Sequence, residues 1–474
     1  MGRYLNPGME SFEKSVNSEI YVDKTGLVGY TNRVMNTVQG YVCVSRPRRF
    51  GKSMAANMLT AYYSRGCDSR EIFSKFEISE SPDFEKYRNK YNTIFLNMQE
   101  FLSRSDSVEA LVDRVKKLVL RDLKREYPDV DYFDDTDLVE SMQDIYETEK
   151  CPFVVIIDEW DCIFREFRQN KEAQEKYLDF LRDLLKDKAC IHLAYMTGIL
   201  PIKKYGTHSA LNMFDEFSMI NPGPLAPYVG FTEVEVEYLC HKYRMDMEEV
   251  KAWYDGYSFS MAASVYSPRS VVNSMLFGKI ENYWNQTETF EALQVYIDMN
   301  FDSLKDDVLS MIAGERIPVN TGSFTNDMTT FRTEDDVLTL LIHLGYLAYD
   351  KETEKVHIPN EEIKREFSRT IRGVRRNETI QRVRESDQII SDTVHMNADA
   401  VAAQIEKIHT EETTALFYNN EQALRSVIKL AYFSYRDYYL KFEELPSGNG
   451  YADIVYFPKK TSNLPALVVE MKWD

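Results

Sequence analysis

The sequence lacks any apolar run close to the roughly 18 residues that a membrane-spanning helix needs, and its first residues lack the apolar core of a signal peptide. We therefore expect a protein that has no membrane partner and stays in the cytoplasm. Its six cysteines form no C-x-x-C pair, and its seven histidines show no H-E-x-x-H spacing. These absences argue against a disulfide framework and against a dedicated zinc site.

Positive charge is also scarce, because 57 Lys and Arg residues stand against 76 Asp and Glu residues, for a formal net charge of −19. A surface of this sign does not coat itself with nucleic acid, although it is compatible with a local basic groove. One segment departs from the trend, since Arg46, Arg48, Arg49 and Lys52 bring four positive charges into seven residues. We expect an anion to bind at this segment.

Apolar runs of strand length alternate with helical patterns in the first half of the chain. The runs are residues 41–45, 93–97, 153–157 and 191–197, and the helical patterns cover residues 53–63, 106–126 and 171–187. Such alternation predicts an α/β fold with a mostly parallel sheet covered on both faces. The run 153–157 is apolar throughout, so we expect it to be a central strand.

The basic segment between the first strand and the first helix has the chemistry of a phosphate-binding loop, or P-loop. Such a loop points successive backbone N–H groups into one concavity, with a helix N-terminus behind them. Gly51 lets backbone approach phosphate, Lys52 reaches the β- and γ-phosphates, and Ser53 supplies a hydroxyl to Mg²⁺. We assign ATP binding to the eight loop residues Arg46, Pro47, Arg48, Arg49, Phe50, Gly51, Lys52 and Ser53.

The arginines of this loop leave alternatives open. Arg46 occupies the place of the usual first glycine, and because it precedes Pro47 we expect it to continue the strand. Arg48 and Arg49 could contact phosphate in the same chain or reach a neighbouring subunit. A solvated basic turn would explain them equally well.

Two carboxylates follow the apolar run 153–157. We expect Asp158 to hold Mg²⁺ together with Ser53, and Glu159 to polarise the attacking water. Thr197, at the end of the next strand, is a candidate for a hydrogen bond to the γ-phosphate or the water, although a plain polar strand end would explain it as well. The candidate catalytic residues of a Mg²⁺-dependent ATPase are thus Lys52, Glu159 and Thr197.

The chain beyond the Pro-rich segment 221–227 is largely helical in pattern. Between residues 335 and 371, an apolar helix that should stop at Gly345 is followed by two short strands and a helix capped by Asn360. This order is that of a winged-helix module. Since the stretch has no basic stripe, a packing or lever role is favoured over direct DNA contact.

Several segments occur together as they do in a known family. They are Tyr21-Val22-Asp23-Lys24-Thr25, the loop 46–53, Asp158-Glu159, Thr197-Gly198-Ile199-Leu200, Tyr254-Asp255-Gly256-Tyr257 and Tyr266-Ser267-Pro268. Together they resemble the bacterial AAA-ATPase-like family whose members carry a C-terminal PD-(D/E)xK nuclease-like domain. The resemblance implies an AAA-type P-loop ATPase domain at residues 1–225, a helical and winged-helix-like region at 226–375, and a restriction-endonuclease-like α/β domain at 376–474.

The last part of the chain is predicted to contain two strands, Asp453 to Phe457 and Leu467 to Lys472. The same family resemblance implies a metal-dependent nuclease site near the C-terminus. Asp453 and Glu470 would share a divalent metal, and Lys472 would lie on the same strand face as Glu470 and steady the attacking hydroxide. The family's accessory acids would fall at Glu421 and Glu444. We therefore count DNA among the expected partners of this domain.

This C-terminal segment departs from the family's pattern in two ways. Tyr451 stands where the family usually has Arg, and the chain stops two residues beyond Lys472. The helix and final strand that should complete the nuclease fold are missing from the pattern. We therefore expect an incomplete domain with little or no nuclease activity.

Three functions are compatible with these features. The first is an ATP-hydrolysing switch whose nucleotide state repositions the later domains. The second is an ATP-regulated DNA endonuclease of defence or mobile-element biology, and the third is a nucleotide-binding interaction protein with little turnover. ATP and Mg²⁺ are the expected ligands, and a homo-oligomer or a protein partner is left open.

Overall fold

The computed structural model describes residues 2–167, 170–202, 211–259, 261–284, 304–324, 331, 333–373, 377–412, 421–432, 434–435, 438–447, 450–459 and 464–472. The chain forms two compact units, residues 1–286 with 317–363 and residues 287–316 with 364–474. The domain boundaries expected at residues 225 and 375 stay predictions. In the ranges just given, no helix is both long and apolar enough to cross a membrane.

The first unit contains a five-stranded sheet in which every pairing is parallel. Its strands are β1 (Tyr41–Ser45), β2 (Asn92–Asn97), β3 (Phe153–Asp158), β4 (Ile191–Gly198) and β5 (Asp215–Phe217). They lie in the order β2, β3, β4, β1, β5. Every residue of β3 is buried, and the strand lies between β2 and β4, as its apolar sequence predicts. The short edge strand β5 had no clear sequence signal.

The helices in this part of the chain precede, connect and follow the strands. They are α1 (Glu10–Val16), α2 (Gly26–Val34), α3 (Lys52–Tyr63), α4 (Arg70–Phe73), α5 (Phe84–Tyr87), α6 (Met98–Leu102), α7 (Val108–Glu126), α8 (Leu138–Glu149), α9 (Cys162–Glu166) and α10 (Lys171–Leu185). Helix α3 packs against β2, β3 and β4. Helix α7 begins where the Ser107 hydroxyl accepts the Ala110 amide, and its apolar face packs against α8 and α10.

Short strands and helices follow in the second half of the chain. They are β6 (Phe231–Thr232), α11 (Glu233–Tyr243), α12 (Met247–Tyr254), β7 (Tyr257–Phe259), β8 (Ala262–Tyr266), α13 (Pro268–Phe277), α14 (Leu304–Ile312), β9 (Ile317–Pro318), α15 (Glu334–Leu344), β10 (Ala348–Asp350), β11 (Lys355–His357) and α16 (Glu361–Gly373). Strands β6, β8 and β7 form a small antiparallel sheet, and α11, α12 and α13 share an apolar core with it.

Residues 334–373 show the helix, hairpin and helix order that the sequence predicts. Helix α15 ends at Gly345, whose φ of +84° is a conformation that glycine adopts readily. The hairpin β10–β11 follows, and the Asn360 side chain accepts the Ile363 amide at 3.0 Å at the start of α16. Strand β9 pairs with β11 and extends the hairpin to three strands. A winged-helix role for this part stays a prediction.

The second unit combines helices with an antiparallel sheet. Besides α14 and the remainder of α16, its elements are α17 (Asn377–Val394), α18 (Ala398–Glu412), α19 (Glu421–Ala431), β12 (Tyr439–Ser447), β13 (Gly450–Pro458) and β14 (Leu467–Val469). Strand β13 lies between β12 and β14. Helices α17 and α19 pack on one face of this sheet, where Ile389, Ile428, Ile454 and Tyr456 are buried together. The sequence predicted β13 and β14 but not β12.

Candidate functional site

The carboxyl ends of β1, β2, β3 and β4 meet at one edge of the parallel sheet. The strand register places Asp158 beside Asn97 on one side and beside Thr197 on the other. Ser45 at the end of β1 pairs with Gly198 at the end of β4. Because β1 leads directly into the basic loop, the loop and the carboxylates lie at the same edge, where parallel α/β sheets bind their ligands.

The loop ends in a backbone that is shaped to receive an anion. Arg49 and Gly51 have φ values of +68° and +92°, and Gly51 immediately precedes α3. A Cβ added at Gly51 would have no atom within 4 Å, so the loop is open at this point. The first backbone N–H groups of α3 have no hydrogen-bond partner within their own helix. They lie at the N-terminus of the helix, where the loop is open.

The side chain of Arg46 binds the sheet. It is fully buried, and its Nη1 donates to the Ser45 and Phe217 carbonyl oxygens, each at 2.9 Å. Its own amide donates to the Gly198 oxygen at 3.1 Å and so continues the strand pairing beyond β1. Burial lowers the pKa of Arg46 to about 10. The guanidinium therefore ties β1 to β5, and its assignment to the nucleotide stays a prediction.

Arg49 contacts the segment that follows α13. Its Nη1 donates to the Tyr283 carbonyl oxygen at 3.1 Å. Burial lowers the pKa of Arg49, and the nearby charges of Arg269 and Arg48 lower it further. Three arginines are therefore close to one another here, one of them from the start of α13.

The rest of the loop packs against later segments of the same unit. The Phe50 ring meets the Tyr257 ring edge-on, with centroids 5.5 Å apart. A Cβ added at Gly345 would lie 2.6 Å from Pro47 Cγ, so the backbone at the end of α15 passes directly against the loop. The P-loop is thus in contact with elements that lie about two hundred to three hundred residues away in sequence, a distance that tertiary structure alone bridges.

Lys52 is buried, with 4% of its surface exposed, and its Nζ donates to the Pro47 carbonyl oxygen at 2.8 Å. Burial lowers its pKa, while the charges of Glu159, Asp161 and Asp158 oppose that effect. The ammonium therefore lies inside the curve of the loop, close to the carboxylates that follow β3.

Asp158 is almost completely buried, at 1% exposure. Its Oδ1 accepts the Glu159 amide at 3.0 Å, and its Oδ2 accepts from the Asn97 side chain at 3.3 Å. Burial raises its pKa to about 6, although a hydrogen bond from the Ser53 hydroxyl and the charge of Lys52 oppose the rise. A hydroxyl and a carboxylate in contact provide the oxygen donors that Mg²⁺ requires, so these two residues fit that ion.

Glu159 and Thr197 have different surroundings. Glu159 has a φ of +54°, and its carboxylate forms an ion pair with Arg165. The Thr197 hydroxyl is buried and donates to the Val44 carbonyl oxygen at 2.9 Å, so it is engaged within the sheet. The catalytic assignments of both residues stay predictions.

Three residues of this site were not singled out from the sequence, namely Asn97, Asp161 and Arg165. Asn97 ends an apolar strand as Asp158 does, and this parallel was a usable signal. Asp161 immediately precedes the short helix after β3, and Arg165 lies four positions later in that helix. This spacing puts both side chains on one helix face. Their link to Glu159 depends on the shape of the turn after β3.

The candidate nuclease residues lie in the second unit. Asp453 Oδ2 accepts the Met471 amide at 2.7 Å, and its Oδ1 lies 3.5 Å from Arg425 Nη2. Arg425 Nη1 also lies 3.1 Å from Glu444 Oε1. One guanidinium therefore contacts two of the predicted acids.

The other nuclease candidates are less well placed. The predicted strand from Leu467 to Lys472 ends at Val469, so Glu470 and Lys472 are exposed residues that follow the strand. This corrects the expectation that both would share a strand face. The side chain of Glu421 lies outside the described part of the chain. Among the residues described, no group of three or more His, Cys, Asp and Glu could hold a metal ion.

The model of a family described as "Predicted AAA-ATPase" matches residues 6–207. This match includes the P-loop, Asp158-Glu159 and strands β1 to β4, and it supports an ATP-binding ATPase domain. An uncharacterised protein from the vnfD 5′ region of Azotobacter chroococcum mcd 1 is 25% identical over 298 residues, covering 60% of this chain and 54% of that protein. The match thus spans about half the length of the curated relative.

Two solved structures are similar at low scores. The Walker-type ATPase PABY2304 of Pyrococcus abyssi is 13% identical with a TM-score of 0.38, covering 73% of this chain and 94% of that chain. The ORC2 protein of Aeropyrum pernix, solved in ADPNP–ADP complexes, is 13% identical with a TM-score of 0.34, covering 74% of this chain and 95% of that chain.

Proposed function

We propose that the chain binds ATP with Mg²⁺ at the edge of the parallel sheet and hydrolyses it. The observation that carries the proposal is the meeting of Lys52, Ser53 and Asp158 beside the open N-terminus of α3. A buried ammonium, a hydroxyl and a carboxylate of raised pKa at this position match the needs of a triphosphate and its metal ion. The family match over residues 6–207 supports the same function.

The residues of the site take distinct roles in this proposal. The backbone N–H groups at the start of α3 bind phosphate oxygens, and Lys52 exchanges its bond with the Pro47 carbonyl for one with phosphate. Ser53 and Asp158 hold Mg²⁺, which supplies positive charge that offsets the charge developing on the phosphates. Glu159 orients the attacking water and accepts its proton.

We infer that the nucleotide state acts as a switch for later parts of the first unit. The loop contacts Tyr283 through Arg49, Tyr257 through Phe50, and the backbone at Gly345 through Pro47. If a bound phosphate moves the loop, the residues in contact with the loop must move as well, or their packing must oppose the movement. The contact at Gly345 reaches the end of α15 directly. A repositioning of these elements is the output that the switch would deliver.

Turnover distinguishes this proposal from a nucleotide-binding interaction protein. Glu159→Gln should keep ATP affinity within about twofold and lower kcat by about 100-fold, because the carboxamide cannot accept the proton. Phosphate release and calorimetric binding measure the two quantities. Glu175→Gln, at an exposed position of α10, is the matched control and should behave as wild type. Equal turnover in Glu159→Gln and wild type would refute the assignment of the base.

A further inference from the structure

Glu159 is held by a guanidinium. Arg165 Nη2 donates to Glu159 Oε2, and the two side chains are 10% and 24% exposed respectively. The φ of +54° at Glu159 lies in the left-handed region that few residues other than glycine adopt. The turn after β3 therefore directs this carboxylate towards α9, where Arg165 lies.

Arg165 is itself fixed from its other side. Its Nε lies 3.3 Å from Asp161 Oδ2, one helical turn earlier. Asp161 is fully buried, and the same oxygen accepts the Ile199 and Leu200 amides at 3.1 and 2.9 Å. The guanidinium thus bridges an anchored carboxylate and the carboxylate that is assigned to the water.

An ion pair of this kind opposes general-base catalysis. It occupies a carboxylate oxygen that would otherwise accept a hydrogen bond from the attacking water. The other charges facing this group come from Lys52 on α3, Asp158 on β3, and Asp161 at the start of α9. Asp161 adds a second carboxylate that retains Arg165 beside Glu159.

We propose that Arg165 is a positioning residue that restrains Glu159, so that the ion pair must separate in each turnover and limits the basal rate. This inference rests on the ATPase function proposed above. Because the ion pair with Asp161 is separate from the one with Glu159, Glu159 can leave the pair while Arg165 keeps a partner. Such a restraint suits a nucleotide-dependent switch, since basal ATP hydrolysis stays slow until another event separates the ion pair.

The test uses the full chain and compares Arg165→Met with Arg182→Met. Arg182 forms an exposed pair with Asp179 on α10 and serves as the matched control. Arg165→Met should raise kcat by about 3- to 10-fold, the cost of separating a partly exposed ion pair, with the affinity for a fluorescent ATP analogue within about twofold of wild type.

The outcomes separate this inference from the ATPase proposal. Wild-type turnover with an unchanged or lower kcat in Arg165→Met would overturn the inference alone. Absence of turnover in wild type and both variants, with analogue binding intact, would overturn both. If Arg165→Met does not fold, Arg165→Lys replaces it, since lysine keeps a charge for Asp161 but lacks the second arm of the guanidinium. It should raise kcat at least about twofold, and no increase would overturn the inference.

Discussion

Asp158 and Asp453 are both strand carboxylates that the sequence singles out, yet their surroundings differ. Asp158 is 1% exposed, and its hydrogen-bond partners are a backbone N–H, the Asn97 amide and the Ser53 hydroxyl. The Asp453 side chain is 25% exposed and lies beside the Arg425 guanidinium. Burial raises the pKa of Asp158 to about 6.

The difference shows what a candidate site needs beyond acidic residues. A buried carboxylate whose hydrogen-bond donors are all neutral groups remains able to bind a cation from solution. A carboxylate that shares a guanidinium with Glu444 already has its counter-ion within the chain. This contrast supports the ligand site proposed at the edge of the parallel sheet.

The largest expected effect is on ATP affinity, and it is tested by replacing one lysine in each of the two regions. Lys52→Ala should weaken ATP binding by at least about 100-fold, because the loop loses the charge that faces phosphate. Lys472→Ala, at an exposed position after β14, should leave ATP binding unchanged. Isothermal titration calorimetry in the presence of Mg²⁺ measures both, and circular dichroism checks that the fold is intact. Near wild-type affinity in Lys52→Ala would refute the ATP site.

The parallel sheet could be predicted because most of its strands are short, continuous apolar segments that helical patterns separate along the chain. The predicted run 41–45 corresponds to β1 without a change of boundary, and β3 is central as expected. The strand β5 and the helix α8 were missed, and a strand of three residues carries little sequence signal.

Side-chain partners were the part that the sequence could not supply. The sequence assigns Arg46 to the nucleotide, which stays a prediction, but it gives no sign that the guanidinium donates to the Phe217 carbonyl, 171 positions away. The same limit applies to Glu159, whose pairing with Arg165 depends on a left-handed turn. Composition and spacing identify groups that can bind an anion, but only tertiary contacts decide which of them are already engaged.

Replacing each aspartate by asparagine should change the free energy of unfolding by an intermediate amount, with opposite signs at Asp158 and Asp453. The pKa of Asp158 rises from 3.8 to about 6 in the folded chain, so its ionisation destabilises the fold. Asp158→Asn should stabilise the Mg²⁺-free protein by on the order of 1–3 kcal/mol above about pH 6. This gain should decline as the pH falls from about 6 to about 4, where aspartic acid is protonated in both states.

The comparison variant is Asp453→Asn, which should destabilise by at most about 1 kcal/mol because its ion pair is partly exposed. Urea denaturation of each variant at several pH values, without nucleotide, measures these changes. Destabilisation by Asp158→Asn at neutral pH would show that the buried carboxylate is better satisfied than its neighbours indicate. Asp158→Asn should also abolish the Mg²⁺ dependence of ATP binding.

The smallest expected effect concerns DNA cleavage by the second unit. Plasmid DNA incubated with Mg²⁺ or Mn²⁺, with and without ATP, should not be nicked above the buffer control by wild type, Asp453→Ala or Glu470→Ala. Arg425 contacts Asp453 and Glu444, and β14 ends before Glu470, so the acids lack the rigid common support that metal-dependent cleavage needs. Robust nicking by wild type that both substitutions remove would make the second region a nuclease. Nicking that appears only in Arg425→Met would show that the guanidinium masks a metal site.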